Sequence, residues 1–186
     1  MEIRNTYKAE ARSGWREWLE DHHCSSTEIW LILQKSPHSP CLTYLDAVEE
    51  AICFGWIDGI SKKFNNAESA QRFTPRKARS RWTELNKERA RRLIRLGLMT
   101  DAGLAVIPDL DAEFQILEEV ESALRSSPDI WENFQSFPVL YRRVRIGYIQ
   151  EMHKNPVEFE RRLGNFVKNT AQDKMFGNWN DGGRLK

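Results

Sequence analysis

The side chains best suited to chemistry in this 186-residue chain lie between positions 53 and 95. Cys53-Phe54-Gly55-Trp56-Ile57-Asp58-Gly59 is followed by Gln71-Arg72-Phe73-Thr74-Pro75-Arg76, then by Ser80-Arg81-Trp82 with Asn86 beyond it. In an extended segment, residues an even number apart point the same way, so Arg72 and Arg76 share a face, with Thr74 between them. Guanidinium groups hold carboxylate or phosphate through paired N–H donors. A helix starting at Ser80 would add unsatisfied backbone N–H groups and the positive end of its dipole. Trp56 or Trp82 could stack on a ring. The candidate ligand-binding residues are therefore Trp56, Asp58, Arg72, Thr74, Arg76, Ser80, Trp82 and Asn86, and the candidate ligand is a small anionic or phosphorylated molecule. A second reading stands beside this one. In it Asp58 pairs with Arg72 or Arg76 across a hairpin and the tryptophans are core, because structural ion-pair networks use the same residue types.

Other reactive groups carry weaker signals. His22-His23-Cys24 and His38 with Cys41 hold metal-ligand residue types, but neither has a second ligand pair at zinc-site spacing. Cys53 falls on the apolar side of a helix, where a thiol is buried and inert. An enzyme using Asp58 as acid or base is disfavoured, because a carboxylate near Arg is held ionised and suits an orienting role. No Gly-rich phosphate loop, Gly-x-Ser-x-Gly or His-Glu-x-x-His occurs, and no cofactor is expected. Whether any reaction is catalysed stays open.

The elements that must position these residues can be read locally. Ser13 caps a short helix running to His22–His23, with Trp15, Trp18 and Leu19 on one face. Glu28 to Lys35 is an apolar run of β-formers, best taken as a buried strand, and Ser36-Pro37-His38-Ser39-Pro40 is a turn. Thr43 and Asp46 imitate a capping box for a helix striped by Leu45, Val48 and Ile52, which Gly55 stops. Trp56–Phe64 and Ala70–Pro75 form a hairpin around Asn65-Asn66, with the second strand ending at Pro75. A long helix is expected from Ser80 to Gly97, a short one capped by Thr100, and another over Leu110–Leu124. Three more begin at Ser127-Pro128, Pro138 and Asn155-Pro156. Residues 177–186 have the composition of a mobile tail. The expected fold class is α+β: a small antiparallel sheet or hairpin with packed helices, followed by a C-terminal helical bundle. One domain covers 1–186, with an α/β part over 1–107 and a helical part over 108–176.

Composition is globular, with 40% hydrophobic and 30% charged residues. The net charge of +1 conceals a segregation. Residues 72–95 carry ten Lys/Arg against two Asp/Glu, and residues 96–135 carry one against nine. The basic block could track phosphates of a nucleic acid, with aromatics stacking on bases, although the near-zero total charge opposes this. A protein–protein adaptor using an aromatic surface is a further alternative. No stretch approaches the ~20 apolar residues of a membrane span, so no membrane insertion is expected. The absence of a signal-like start and the odd cysteine count point to reduced thiols in the cytoplasm.

Leu42-Thr43-Tyr44, the 53–59 and 71–76 motifs, Ser80-Arg81-Trp82 with Asn86-Lys87, and Gly97-Leu98-Met99-Thr100 together resemble the bacteriocin-protection, YdeI/OmpD-associated family. The resemblance runs over roughly residues 7–107, with Thr83 where the family pattern has Ser. Beyond 107 it is looser: Met152-His153-Lys154 and Phe159-Glu160-Arg161-Arg162 depart from the family's Ala-Lys, Thr-Arg and Arg-Arg stretches. It implies a bacterial cytosolic protein linked to tolerance of bacteriocins or envelope stress. It implies no established reaction and no established catalytic residues.

Overall fold

The computed structural model describes residues 2–35, 42–77 and 80–185. The turn expected at 36–40, together with His38 and Cys41, lies outside them. Among the described residues are eight α-helices and a four-stranded sheet, an α+β arrangement. The chain divides into two compact units, residues 1–81 with 89–108, and residues 82–88 with 109–186.

The first unit is built on the sheet. Strand β2 (Ile29–Gln34) pairs antiparallel with β4 (Glu68–Pro75), which pairs antiparallel with β3 (Trp56–Lys63). A two-residue strand β1 (Thr6–Tyr7) adds in parallel to β2, giving the order β1-β2-β4-β3 and a mixed sheet. The hairpin is closed as its sequence suggests: Asn65 Oδ1 accepts the N–H groups of Ala67 and Glu68, both at 2.8 Å. Between Asp58 and Ser61 the β3–β4 register shifts, and the Gly59 carbonyl there accepts from Gln71 Nε2 at 2.8 Å.

Helices α1 (Arg12–His22) and α2 (Tyr44–Cys53) pack on each other, and Trp15 donates its indole N–H to the Ala47 carbonyl at 3.0 Å. Trp15 also meets Phe73 of β4 at 5.4 Å between ring centroids, and Trp18 meets Trp56 of β3 edge-on at 5.8 Å. These contacts identify the helix-covered face of the sheet. The capping box of Thr43 and Asp46 forms, and Gly55 takes a φ of 72°, ending α2 in the left-handed conformation that glycine tolerates best. Helix α1 begins two residues earlier than expected, after Ala11, with no side-chain cap from Ser13.

Two helix starts differ from the sequence reading. Residues 80–83 are not helical, and α3 spans Glu84–Arg95. Thr83 acts as its cap, its Oγ1 accepting the Asn86 N–H at 3.1 Å and its carbonyl accepting the Lys87 N–H at 3.0 Å. Ser80 is thus no helix N-terminus; its N–H closes a turn onto the Lys77 carbonyl at 2.8 Å. After Gly97 (φ 66°) the short helix α4 (Asp101–Leu104) follows, capped by Thr100 as anticipated.

The helix expected over Leu110–Leu124 shortens to α5 (Glu118–Leu124). Gln150 supplies the reason. Its Oε1 accepts the Leu117 N–H at 2.8 Å and its Nε2 donates to the Gln115 carbonyl at 3.1 Å, so these backbone groups are satisfied without a helix.

The second unit then continues through α6 (Pro128–Ser136), α7 (Val139–Gln150) and α8 (Pro156–Thr170). Ser127-Pro128 and Asn155-Pro156 open two of these as the sequence indicates, and Asn155 accepts from the Glu158 N–H. Their core gathers Val120, Leu124, Phe134, Tyr141, Ile146 and Phe166. Residues 177–185, read as a mobile tail, instead pack down: Asp181 and Leu185 are buried, and Trp179 meets Tyr141 edge-on at 5.7 Å. The spacing of large apolar side chains at the very end is the signal that composition alone obscured.

Candidate functional site

Strand register decides the fate of the hairpin residues. Asp58 pairs with Phe73, on the helix-covered face, whereas Arg72 pairs with Trp30 on the opposite one. The even spacing of Arg72 and Thr74 holds, but parity separates Asp58 from Arg72, so the expected cross-hairpin pair between those two does not form. Arg72 instead forks onto Glu28 through Nε (2.9 Å) and Nη2 (2.6 Å). Asp58 accepts from the Tyr44 hydroxyl at 2.6 Å. Thr74 pairs with Ile57 in the ladder, one position from the strand end.

Trp56 is core, donating its indole N–H to the His23 carbonyl at 3.2 Å. Trp82 and Asn86 are buried and belong to the second unit. Ser80 is half-buried in the turn just described.

Arg76 differs from Arg72. It follows the end of β4, its N–H bonded to the Gly55 carbonyl at 2.8 Å, and its residue is only 7% exposed. Burial pulls the guanidinium pKa down to about 10, against the opposing pull of the Asp58 charge. It remains a cation at neutral pH, held where water solvates it poorly. Asp58 and Arg76 are therefore the electrostatically linked part of the candidate set, and Arg72 is committed to Glu28.

A second constellation escaped the sequence reading. On α2, Glu49 and Glu50 are almost completely buried, 1% and 2% exposed. Glu49 accepts from Arg12 Nη1 and Arg92 Nη1, both at 2.8 Å, and Glu50 accepts from Arg12 Nε and from Arg16 Nη1 at 2.8 Å. Burial acts to lower the Arg12 pKa, but its bonds to Glu50 and Glu49 outweigh this and raise it. The legible signal was spacing. Asp46, Glu49, Glu50 and Cys53 follow one another at helical intervals, and Arg12 and Arg16 are four residues apart on the helix that packs against them.

Cys53 sits fully buried at the end of this network. Burial, and then the neighbouring Glu50 charge, push its thiol up to about 12. Its thiolate fraction at neutral pH is therefore roughly a thousandfold below that of an ordinary cysteine. Iodoacetamide followed by peptide mapping should modify exposed Cys24 in the native protein and reach Cys53 only after denaturation. Comparable native labelling of both would contradict the buried, protonated thiol. Among the described residues, no three His, Cys, Asp or Glu side chains come together as metal ligands would.

Residues 7–106, which contain the hairpin and the α2 network, match the family model of a domain of unknown function, DUF8412. The chain belongs to the DUF8412 family. Residues 113–173 match the model described as bacteriocin-protection, YdeI or OmpD-associated. The resemblance to that second family is thus upheld, but its place is corrected: it rests on the C-terminal helices, where the motif comparison was loosest. No curated protein and no solved structure matches the chain. Among the described residues, no helix is long and apolar enough to cross a membrane.

Proposed function

We propose that this protein binds a small anion at the end of the β3–β4 hairpin, with Arg76 as the anchor and Asp58 as the group that orients it. The observation that supports this reading is a buried guanidinium that feels the charge of Asp58, with its pKa lowered by burial. A charge in a poorly solvated position gains more from a counter-ion than an exposed one does. Perturbed charges of this kind concentrate at binding sites. Trp56 shares the face of Asp58, while Thr74 lies with Arg72 on the opposite one, where Arg72 serves the sheet through Glu28. The match of residues 113–173 to the bacteriocin-protection family supports a role in tolerance of bacteriocins or envelope stress.

A nucleic-acid role for the 72–95 block is less well supported. Within it Arg72, Lys87 and Arg92 are ion-paired with Glu28, Glu84 and Glu49, and Arg76 and Arg89 are buried. These five of the block's ten basic residues are thus engaged or buried, which shortens any exposed track for phosphates.

The test is a thermal-shift screen against nucleotides, phosphosugars and small carboxylates. A ligand at about 100 times its Kd adds about 2.7 kcal/mol of stability. Arg76→Ala should abolish the shift, Arg72→Ala should leave it, and Asp58→Asn should strengthen binding by removing a competing negative charge. Silence of the wild type and of Asp58→Asn across the panel would rule the reading out.

A further inference from the structure

The second unit contains a cleft of about 340 Å³ between the segment around Phe114 and helices α6 and α7. Its walls are Phe114, Trp131, Phe134 and Ile146, and two cations, Arg142 and Arg143, reach it from α7. This volume lies at the lower end of the range of small-molecule sites. The walls are aromatic and aliphatic, with Trp131 and Phe134 rings 5.4 Å apart.

The two arginines are not equivalent. Arg143 is neutralised by Glu84, which it grips through Nε (3.2 Å) and Nη2 (2.6 Å). Arg142 has no carboxylate partner among the described residues. Its guanidinium lies 5.4 Å from the Phe134 ring centroid, and its Nε is buried without a hydrogen-bond acceptor. That nitrogen is closed to solvent, so an incoming carboxylate would meet the terminal nitrogens of the guanidinium, whose charge no carboxylate among the described residues offsets. The ring face attracts the cation but offers the Nε–H no in-plane acceptor.

We infer that this cleft binds a monocarboxylate with an apolar body, its carboxylate on Arg142 and its chain or ring against Phe114, Trp131 and Phe134. Inorganic phosphate would meet the cation and waste the apolar walls, and a neutral apolar molecule would leave the Arg142 charge without a counter-ion. At the mouth, Val139 is 62% exposed, so an apolar rim continues outward from the cation. A neighbouring cavity of about 610 Å³ shares Val139 and Arg143 with this cleft, which gives a longer chain room to extend. The site uses no residue of the hairpin.

Isothermal titration of the full-length protein with octanoate, octanol and inorganic phosphate tests this. Octanoate should bind saturably and at least tenfold more tightly than octanol, and phosphate should give no heat. Arg142→Gln should weaken octanoate at least tenfold. Val139→Glu, on an exposed position at the rim, should weaken octanoate more than octanol, because the new carboxylate repels the ligand's own. Arg76→Ala should leave octanoate binding intact, which separates this site from the hairpin. Equal affinity for octanoate and octanol, absence of octanoate binding, or indifference of octanoate to both Arg142→Gln and Val139→Glu would overturn the inference.

Discussion

Glu50→Ala is expected to destabilise the protein by about 3 kcal/mol in urea unfolding, the lower end of the cost of breaking a buried ion pair. The Glu50 carboxylate is removed from water and satisfied by two guanidiniums, those of Arg12 and Arg16. Deleting it leaves both without that counter-charge. The loss stays near the lower end because the arginine side chains keep 34% and 29% of their exposure and can rehydrate. Glu49→Ala should cost a similar amount, since it strands Arg92 as well as Arg12. Because the two glutamates share Arg12, the double variant should lose less than the sum of the singles. The exposed pair Arg125–Glu121 is the control: Glu121→Ala should cost well under about 1 kcal/mol. A Glu50→Ala loss as small as the control's would mean that the network contributes charge without stability.

Gly103→Ala should lose about 3 kcal/mol, the upper part of the usual range for overpacking. A methyl at Gly103 would be driven into the Cys53 carbonyl oxygen and to 2.6 Å from the Met99 sulfur. The sulfur can swing away, but the carbonyl cannot. The Cys53 oxygen already accepts from the Thr100 hydroxyl at 2.6 Å and from its N–H at 3.2 Å. Helix α4 is therefore docked on the C-terminal end of α2 at backbone contact distance, and only a residue without Cβ permits that approach. Gly164 of α8 offers the opposite case, with open space around its added Cβ. Gly164→Ala should stabilise by up to about 1 kcal/mol through helix propensity alone. Thermal or urea unfolding of the two variants should give shifts of opposite sign, and a tolerated Gly103→Ala would refute the close docking.

The sequence by itself determined whatever depends on neighbours along the chain. The capping box at Thr43 and Asp46, the left-handed stop at Gly55, the Asn65 turn, the end of β4 at Pro75 and the proline-initiated helices at 128 and 156 each rest on interactions spanning a few residues. Those are legible in any single stretch of sequence. The α+β class followed from the same local signals.

Tertiary structure alone decided the rest. Whether 113–117 is helical depended on Gln150, more than thirty residues away, capturing its backbone groups. Whether Arg72 met Asp58 depended on hairpin register, which set the two side chains on opposite faces and turned Arg72 to Glu28. Ser80 resembled a helix cap, but the turn onto Lys77 and the Thr83 hydroxyl moved the start to Glu84. The candidate site divided accordingly. The residue types were visible in the sequence, but which charge was ion-paired to a neighbour and which was buried was not. That is a property of distance and desolvation, and both exist only once the strands and helices have come together.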